Sequence, residues 1–164
     1  MDISRDNEAL LSAEYARSLL IYEPNTGKLY WKQSIGRRKA GVNLTSTRIK
    51  VNGVLYSRNR LCWLLFYGEW PMQLVDHKNG ARFDDRIDNL REATPTQNQY
   101  NRTSTGAYPK GVTKKNDRNR TKPWQAKIRV NGQRVHLGCF ETMEEAATAY
   151  RLAARKYHGE FAIA

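Results

Sequence analysis

The stretch VDHKNGARFDDRIDNLREATPTQNQYNR, residues 75–102, decides how the rest of the chain is read. It holds one of the three histidines, His77, directly after Asp76, and asparagines follow at Asn89, Asn98 and Asn101. QLVDHK (73–78) has the pattern of a strand ending in polar residues. NGARFDDRID (79–88) is a loop with a turn at Asn79-Gly80, and NLREAT (89–94) is a second short strand. Thr94 then stands as an N-cap, Pro95 at the first helical position and Gln97 three residues after the cap. That capping box, with a proline in its tolerated place, predicts a helix to about Tyr100. The order strand, loop, strand, helix puts Asp76 and His77 at one strand end and Asn98 on the first turn of the helix.

A carboxylate and an amide oxygen are hard donors suited to Mg²⁺ or Mn²⁺, with waters completing the shell. An imidazole titrates near neutrality and can take a proton from water beside a bound cation. A metal near a phosphate can stabilise charge on a leaving oxygen. The combination is that of a phosphodiester-hydrolysis site. A solvated loop with helix-capping asparagines is the blander alternative, and it does not account for Asp, His and Asn at the ends of adjacent elements.

The spacing DH-x11-N-x8-N closely resembles HNH nucleases of the ββα-metal fold, in the asparagine-rich form of phage homing endonucleases. FYGEWP upstream and DDRIDNLREAT with QNQYN downstream fit the same pattern. The resemblance implies that His77 is the general base and that Asp76 and Asn98 hold one divalent metal. It also implies that Asn89 holds the loop and orients His77. Asn98 stands where the family name has its last histidine. Asn59, where relatives often carry a histidine, is read as a structural position. Arg82, Arg86 and Arg91 are candidate phosphate contacts that could equally pair with Asp84, Asp85 and Asp88; one phosphate contact is expected among them, from Arg86 or Arg91.

Outward from this motif, composition agrees with a polyanion partner. The net charge is +12 and the isoelectric point about 9.9. Residues 1–100 hold 15 Lys+Arg against 11 Asp+Glu, and residues 101–164 hold 13 against 5, so the basic excess is concentrated at the C-terminal end. Lys and Arg release counterions from a phosphate backbone, which makes double-stranded DNA the expected partner. No apolar run is long enough for a membrane span, and MDISRDNEALL lacks the layout of a signal peptide. The two cysteines, Cys62 and Cys139, form no CxxC pair. The expectation is a cytoplasmic protein, acting in the bacterial host cytoplasm if phage-encoded, with no small-molecule cofactor, as a monomer or weak dimer.

Toward the N-terminus, Ser12 predicts a capped helix running to Tyr22. KLYWK (28–32) is a strand candidate, RIKVNGVLY (48–56) a hairpin around Asn52-Gly53, and Ser57 the cap of a buried helix ended by Gly68. Toward the C-terminus, RTSTGAYPKG (102–111) is small and polar. The expected organisation is an N-terminal α+β region with the nuclease unit over 1–102 (core motif 73–102), a linker over 103–109, and a second domain over 110–164.

In that second domain WQAKIRVNGQRVHLGCF forms two strands around Asn131-Gly132. Trp124, Ala126, Ile128 and Val130 lie on one face, and Gln125, Lys127 and Arg129 on the other. KGVTKK (110–115) supplies a third strand. TMEE (142–145) is a capping box opening a helix whose Ala146, Ala149, Tyr150, Ala153 and Tyr157 form one stripe. The fold class is therefore α+β: a small α+β region, a ββα-metal unit, then a three-stranded antiparallel sheet on one helix. The motifs KGV, WQAKIRV, RVHLGCF, EEAATAY and YHGEFA resemble the Apetala-type DNA-binding domain of plant ethylene-response factors. That family reads the major groove with its sheet, which implies contacts from Lys115, Lys127, Arg129, Arg134 and His136. Lys127 and His136 replace a common glutamate and tryptophan, so the plant site preference does not carry over. Arg118, Arg120 and Lys122 in the basic loop are expected on phosphates. The functional expectation is a phage-type DNA endonuclease cutting where its C-terminal sheet binds. The alternatives are a non-catalytic DNA-binding regulator on an HNH scaffold and an RNA-directed or nonspecific nuclease.

Overall fold

A computed structural model describes residues 8–104, 106–116 and 120–162. The chain divides into two compact units, Met1–Thr94 and Pro95–Ala164.

The first unit opens with helix α1 (Ala13–Leu19), whose N-cap Ser12 accepts a hydrogen bond from the Tyr15 amide at 3.1 Å. The helix stops short of the expected Tyr22. Residues Leu20–Glu23 instead form β1 and pair antiparallel with β2 (Lys28–Trp31), Leu20 facing Trp31. Pairing across the PNTG turn gives these residues ladder hydrogen bonds and buries Leu20, which a continued helix would not do. A second hairpin joins β3 (Arg48–Val51) to β4 (Val54–Ser57). Its turn residues Asn52 and Gly53 have φ of 47° and 86°, the type I′ geometry that matches strand twist.

Helix α2 (Arg58–Tyr67) follows and ends at Gly68. Ser57 occupies its N-cap position without a side-chain capping bond. Leu61, Cys62 and Leu64 of this helix are fully buried with Leu11, Leu20, Leu29 and Val51 in a single core. Each fully buried leucine contributes about 1.5–3 kcal/mol. Strands β5 (Leu74–His77) and β6 (Leu90–Ala93) pair antiparallel, and a 3-10 turn, Ile87–Asn89, leads into β6. Val75 and Leu90 reach into the same core, so this hairpin is anchored at its base and its loop is free to carry polar groups.

The second unit begins with α3 (Pro95–Tyr100). The Lys110 ammonium donates to the carbonyl oxygens of Gln99, Tyr100 and Arg102 at 3.2, 2.7 and 2.6 Å, satisfying the helix's C-terminal acceptors. The Tyr100 ring stacks on His158, 3.6 Å between centroids and 5° between planes. These two contacts tie α3 to the C-terminal unit, and the expected linker over 103–109 lies inside that unit.

The antiparallel sheet has the order β7 (Val112–Lys114), β8 (Trp124–Val130), β9 (Gln133–Phe140). Helix α4 (Met143–His158) opens with the complete capping box of Thr142 and Glu145. Its Ala146, Tyr150, Ala153 and Ala154 are buried against the sheet side that carries Ala126 and Ile128. Small alanines allow that close approach. The α+β class and the three-stranded sheet on a helix are those read from the pattern.

Candidate functional site

The strand register explains the first pair. Asp76 on β5 stands directly opposite Arg91 on β6, and both side chains are buried. Asp76 Oδ2 accepts from Arg91 Nε and Nη2, each at 3.0 Å. Opposite charges facing each other across a strand pair attract, and burial makes the loss of either partner expensive.

His77 ends β5, half-buried, and its Nε2 lies 2.6 Å from Oδ1 of Asp85. Asp85 is only 1% exposed. Its other oxygen is 2.8 Å from Arg58 Nη1, and Arg58 donates through Nη2 to the Gly27 carbonyl at 2.8 Å. A carboxylate out of water needs such a partner, because an uncompensated buried charge costs several kcal/mol. The Asp85 carbonyl accepts the Tyr22 hydroxyl at 2.6 Å, and burial pushes the Tyr22 phenol well above its ordinary pKa, so it stays a donor. The Ile87 amide bonds to the Pro24 carbonyl at 3.0 Å.

The β1–β2 turn thus holds the 78–89 loop from behind. Gly27, at φ +70°, is where they meet: a Cβ there would come within 2.6 Å of the Arg86 amide nitrogen and 2.7 Å of the Asp85 carbonyl carbon. The N-terminal hairpin is therefore part of the construction of the site, beyond a general support.

Asn89 is buried and spends its side chain on the loop. Its Nδ2 donates to the Asp84 carbonyl at 2.7 Å and to Asn79 Oδ1 at 3.0 Å, and its Oδ1 accepts from the Asn79 amide at 3.1 Å. Asp85 bonds the imidazole at Nε2. Arg86 forms a two-pronged pair with Asp84, both bonds at 2.8 Å, and that guanidinium, with help from Asn79, holds the Asp84 carboxyl down at about 2. Asn59 donates to the Val75 carbonyl at 2.9 Å and so braces α2 against β5.

Asn98 lies on α3 in the second unit and is half-buried. Among the described residues no group of three or more His, Cys, Asp or Glu forms a metal centre. The two expected ligands are of another kind, one carboxylate and one amide. A carboxylate and an amide oxygen are hard donors of the type a Mg²⁺-type ion takes, and such an ion keeps most of its waters and needs few protein donors.

In the second unit Lys127 pairs with His136 and Arg129 with Arg134 across β8 and β9. All four are exposed, as are Lys115, Arg120 and Lys122. Arg118 lies outside the described residues. His136 accepts the Gly138 amide at Nδ1, 2.9 Å away, and its Nε2 is 3.3 Å from Gln125 Nε2. A register shift between Ala126 and Lys127 lets the polar face and the helix-facing side coexist in β9.

Sequence reading did not single out Asp85 or Arg58. Their only signal was the doubled acid Asp84-Asp85 and an arginine at the start of an otherwise apolar helix, both of which also read as surface charge.

Residues 56–100 match a family model described as HNH endonuclease. The chain is 30% identical over 133 residues to an uncharacterized HNH endonuclease of Acanthamoeba polyphaga mimivirus, covering 80% of this chain and 65% of that protein. It is 27% identical over 88 residues to Protein 3.8 of Escherichia phage T7, covering 54% of this chain and 72% of that protein. It therefore spans just under two thirds of the mimivirus relative. No solved structure matches.

Proposed function

We propose that this chain, whose residues 56–100 match a family model described as HNH endonuclease, is a metal-dependent DNA endonuclease of the phage homing type. The observation that carries this reading is the 2.6 Å contact between His77 Nε2 and buried Asp85. An ionised carboxylate only accepts, so the imidazole donates through Nε2–H. The neutral ring then has its lone pair on Nδ1, and Nδ1 is the nitrogen that takes a proton from water. The water oxygen bonds to phosphorus in line with the departing 3′-oxygen, the P–O3′ bond breaks, and the 3′-oxygen takes its proton from solvent water. Asp85, backed by Arg58, stabilises the imidazolium that results. Products carry 5′-phosphate and 3′-hydroxyl ends.

Asp76 and Asn98 would hold one Mg²⁺ or Mn²⁺. Such an ion, when bound, supplies charge stabilisation at the leaving oxygen. Arg91, paired across the ladder, sets a guanidinium against the buried Asp76 carboxylate.

Positioning falls to the C-terminal sheet, read as an Apetala-type DNA-binding surface with Lys115, Lys127, Arg129, Arg134 and His136 toward double-stranded DNA. Arg129 opposite Arg134 supports this. Like charges facing each other across strands are unfavourable in the free protein, and a polyanion relieves them. Arg120 and Lys122 contact phosphates in the same reading, and Arg86 would do so only by sharing its guanidinium with Asp84. The phage relative is in keeping with action in a host cytoplasm.

The test is cleavage of supercoiled plasmids carrying phage DNA fragments, with Mg²⁺, Mn²⁺ or EDTA. Nicked or linear product that disappears with EDTA is expected. His77→Ala should lower the rate by roughly 10²–10⁴-fold with DNA binding retained. Retained binding with no metal-dependent product in the wild type would make the chain a DNA-binding regulator instead.

A further inference from the structure

We infer that the cleft beside His77 is the seat of the scissile strand, with Arg48 and Arg82 on its phosphates and Phe83 against its sugar–base face. The inference rests on the nuclease reading above. The cleft is about 220 Å³ and is lined by Arg48, Arg58, His77, Arg82, Phe83 and Asp85. Its walls are the β3–β4 hairpin, which brings Arg48, and the 78–89 loop, which brings Arg82 and Phe83.

The arginines near His77 fall into two kinds. Arg58, Arg86 and Arg91 are each bound to a carboxylate, on Asp85, Asp84 and Asp76. Their charge is already neutralised, and Arg58 and Arg91 are buried. Arg48 and Arg82 are exposed and form no ion pair among the described residues. Two uncompensated guanidinium groups line one cleft with an imidazole held for proton transfer. A planar guanidinium matches a phosphate's oxygens in a two-pronged bond, so a phosphodiester is the chemistry this cleft fits.

Phe83 adds a second, independent signal. It is 60% exposed, in a loop where the adjoining Arg82, Asp84, Asp85 and Arg86 are all charged. It lines the His77 cleft and also a neighbouring cavity of about 320 Å³ bordered by Thr26, Lys28 and Thr45. A phenyl ring between two basic hollows can contact a nucleotide while phosphates on either side are held by cations. Stacking of aromatic side chains on nucleic acid tolerates any sequence, because every base offers a π-face.

Binding and cutting are to be measured separately. In a His77→Ala background, the affinity for a fluorescein-labelled 30-base-pair DNA duplex of mixed sequence is followed against NaCl. Arg48→Ala and Arg82→Ala should each make the log–log slope shallower by about one and weaken binding roughly tenfold near 0.1 M salt. Arg155→Ala, an exposed arginine on α4, is the control for loss of one charge and should leave the slope unchanged. In the wild-type background with Mg²⁺ or Mn²⁺, the two cleft variants should cut plasmid more slowly, with Arg48→Lys and Arg82→Lys restoring part of the loss. Phe83→Leu should cut more slowly than Phe83→Tyr. Slopes that match the Arg155→Ala control, together with unchanged cutting, would overturn the inference. A wild type that binds duplex but never cuts it would defeat the nuclease reading instead, and the salt series would still decide the cleft.

Discussion

In the proposed mechanism the His77–Asp85 contact selects the acting nitrogen, and substitutions at Asp85 separate geometry from charge. An asparagine there can still accept the Nε2–H, so Asp85→Asn should keep the ring oriented while losing imidazolium stabilisation. Its cutting rate should fall by roughly 10–100-fold at nearly unchanged DNA affinity. Asp85→Ala removes the acceptor and strands the buried Arg58, a loss of about 3–5 kcal/mol that a thermal melt would register. An Asp85→Asn protein with full wild-type rate would remove Asp85 from the mechanism. At the same scale, Gly27→Ala introduces backbone strain of about 1–2 kcal/mol at φ +70° and a Cβ clash with the Asp85–Arg86 backbone. It should lower both stability and cutting, although Gly27 is far from His77 in sequence.

The β5–β6 hairpin is fixed by apolar residues at its base, and its polar loop is shaped by Asn79, Asp84 and Asn89 bonding to one another. Helix α3 is tied to the C-terminal unit through Lys110 and His158, and this tie depends on pH. Burial lowers the His158 pKa, partly offset by its hydrogen bond to the Arg129 carbonyl, with Lys110 lowering it further. A folded-state pKa below the unfolded one means the unfolded chain binds the proton more readily. The stability that neutral His158 contributes is therefore present in full above about pH 6.5 and lost as pH falls through the lowered folded value. The melting temperature of the wild type should drop between pH 7.5 and 5 more than that of His158→Gln, and equal drops would contradict this. Thr142→Ala should cost about 1 kcal/mol by removing the cap of α4.

For the whole molecule, charge is unevenly distributed: the C-terminal 64 residues hold +8 of the +12. Duplex affinity should accordingly fall steeply with salt, and Arg129→Ala should weaken binding without altering metal dependence of cutting. An unchanged affinity would take Arg129 off the contact surface. Competition between duplex DNA and RNA at moderate salt separates a DNA enzyme from an RNA-directed one.

Local rules made much of this protein legible from its residues. Asn-Gly pairs required the two hairpins, because positive φ at both turn positions suits few other residues. Capping boxes marked where α4 starts, and period-two alternation separated Lys127 and Arg129 from the helix-packed side. Pairing between distant segments was not legible. Leu20–Glu23 left the helix because β2 offered a partner. Arg91 became Asp76's counter-ion because the strand register set them opposite. Asp85 met the imidazole Nε2 because the β1–β2 turn and Arg58 hold that carboxylate in place. Local dihedral and capping preferences act within a few residues, and sequence alone determined what they govern. Which charge neutralises which depends on burial and on separations of tens of residues, and only the tertiary structure decided that.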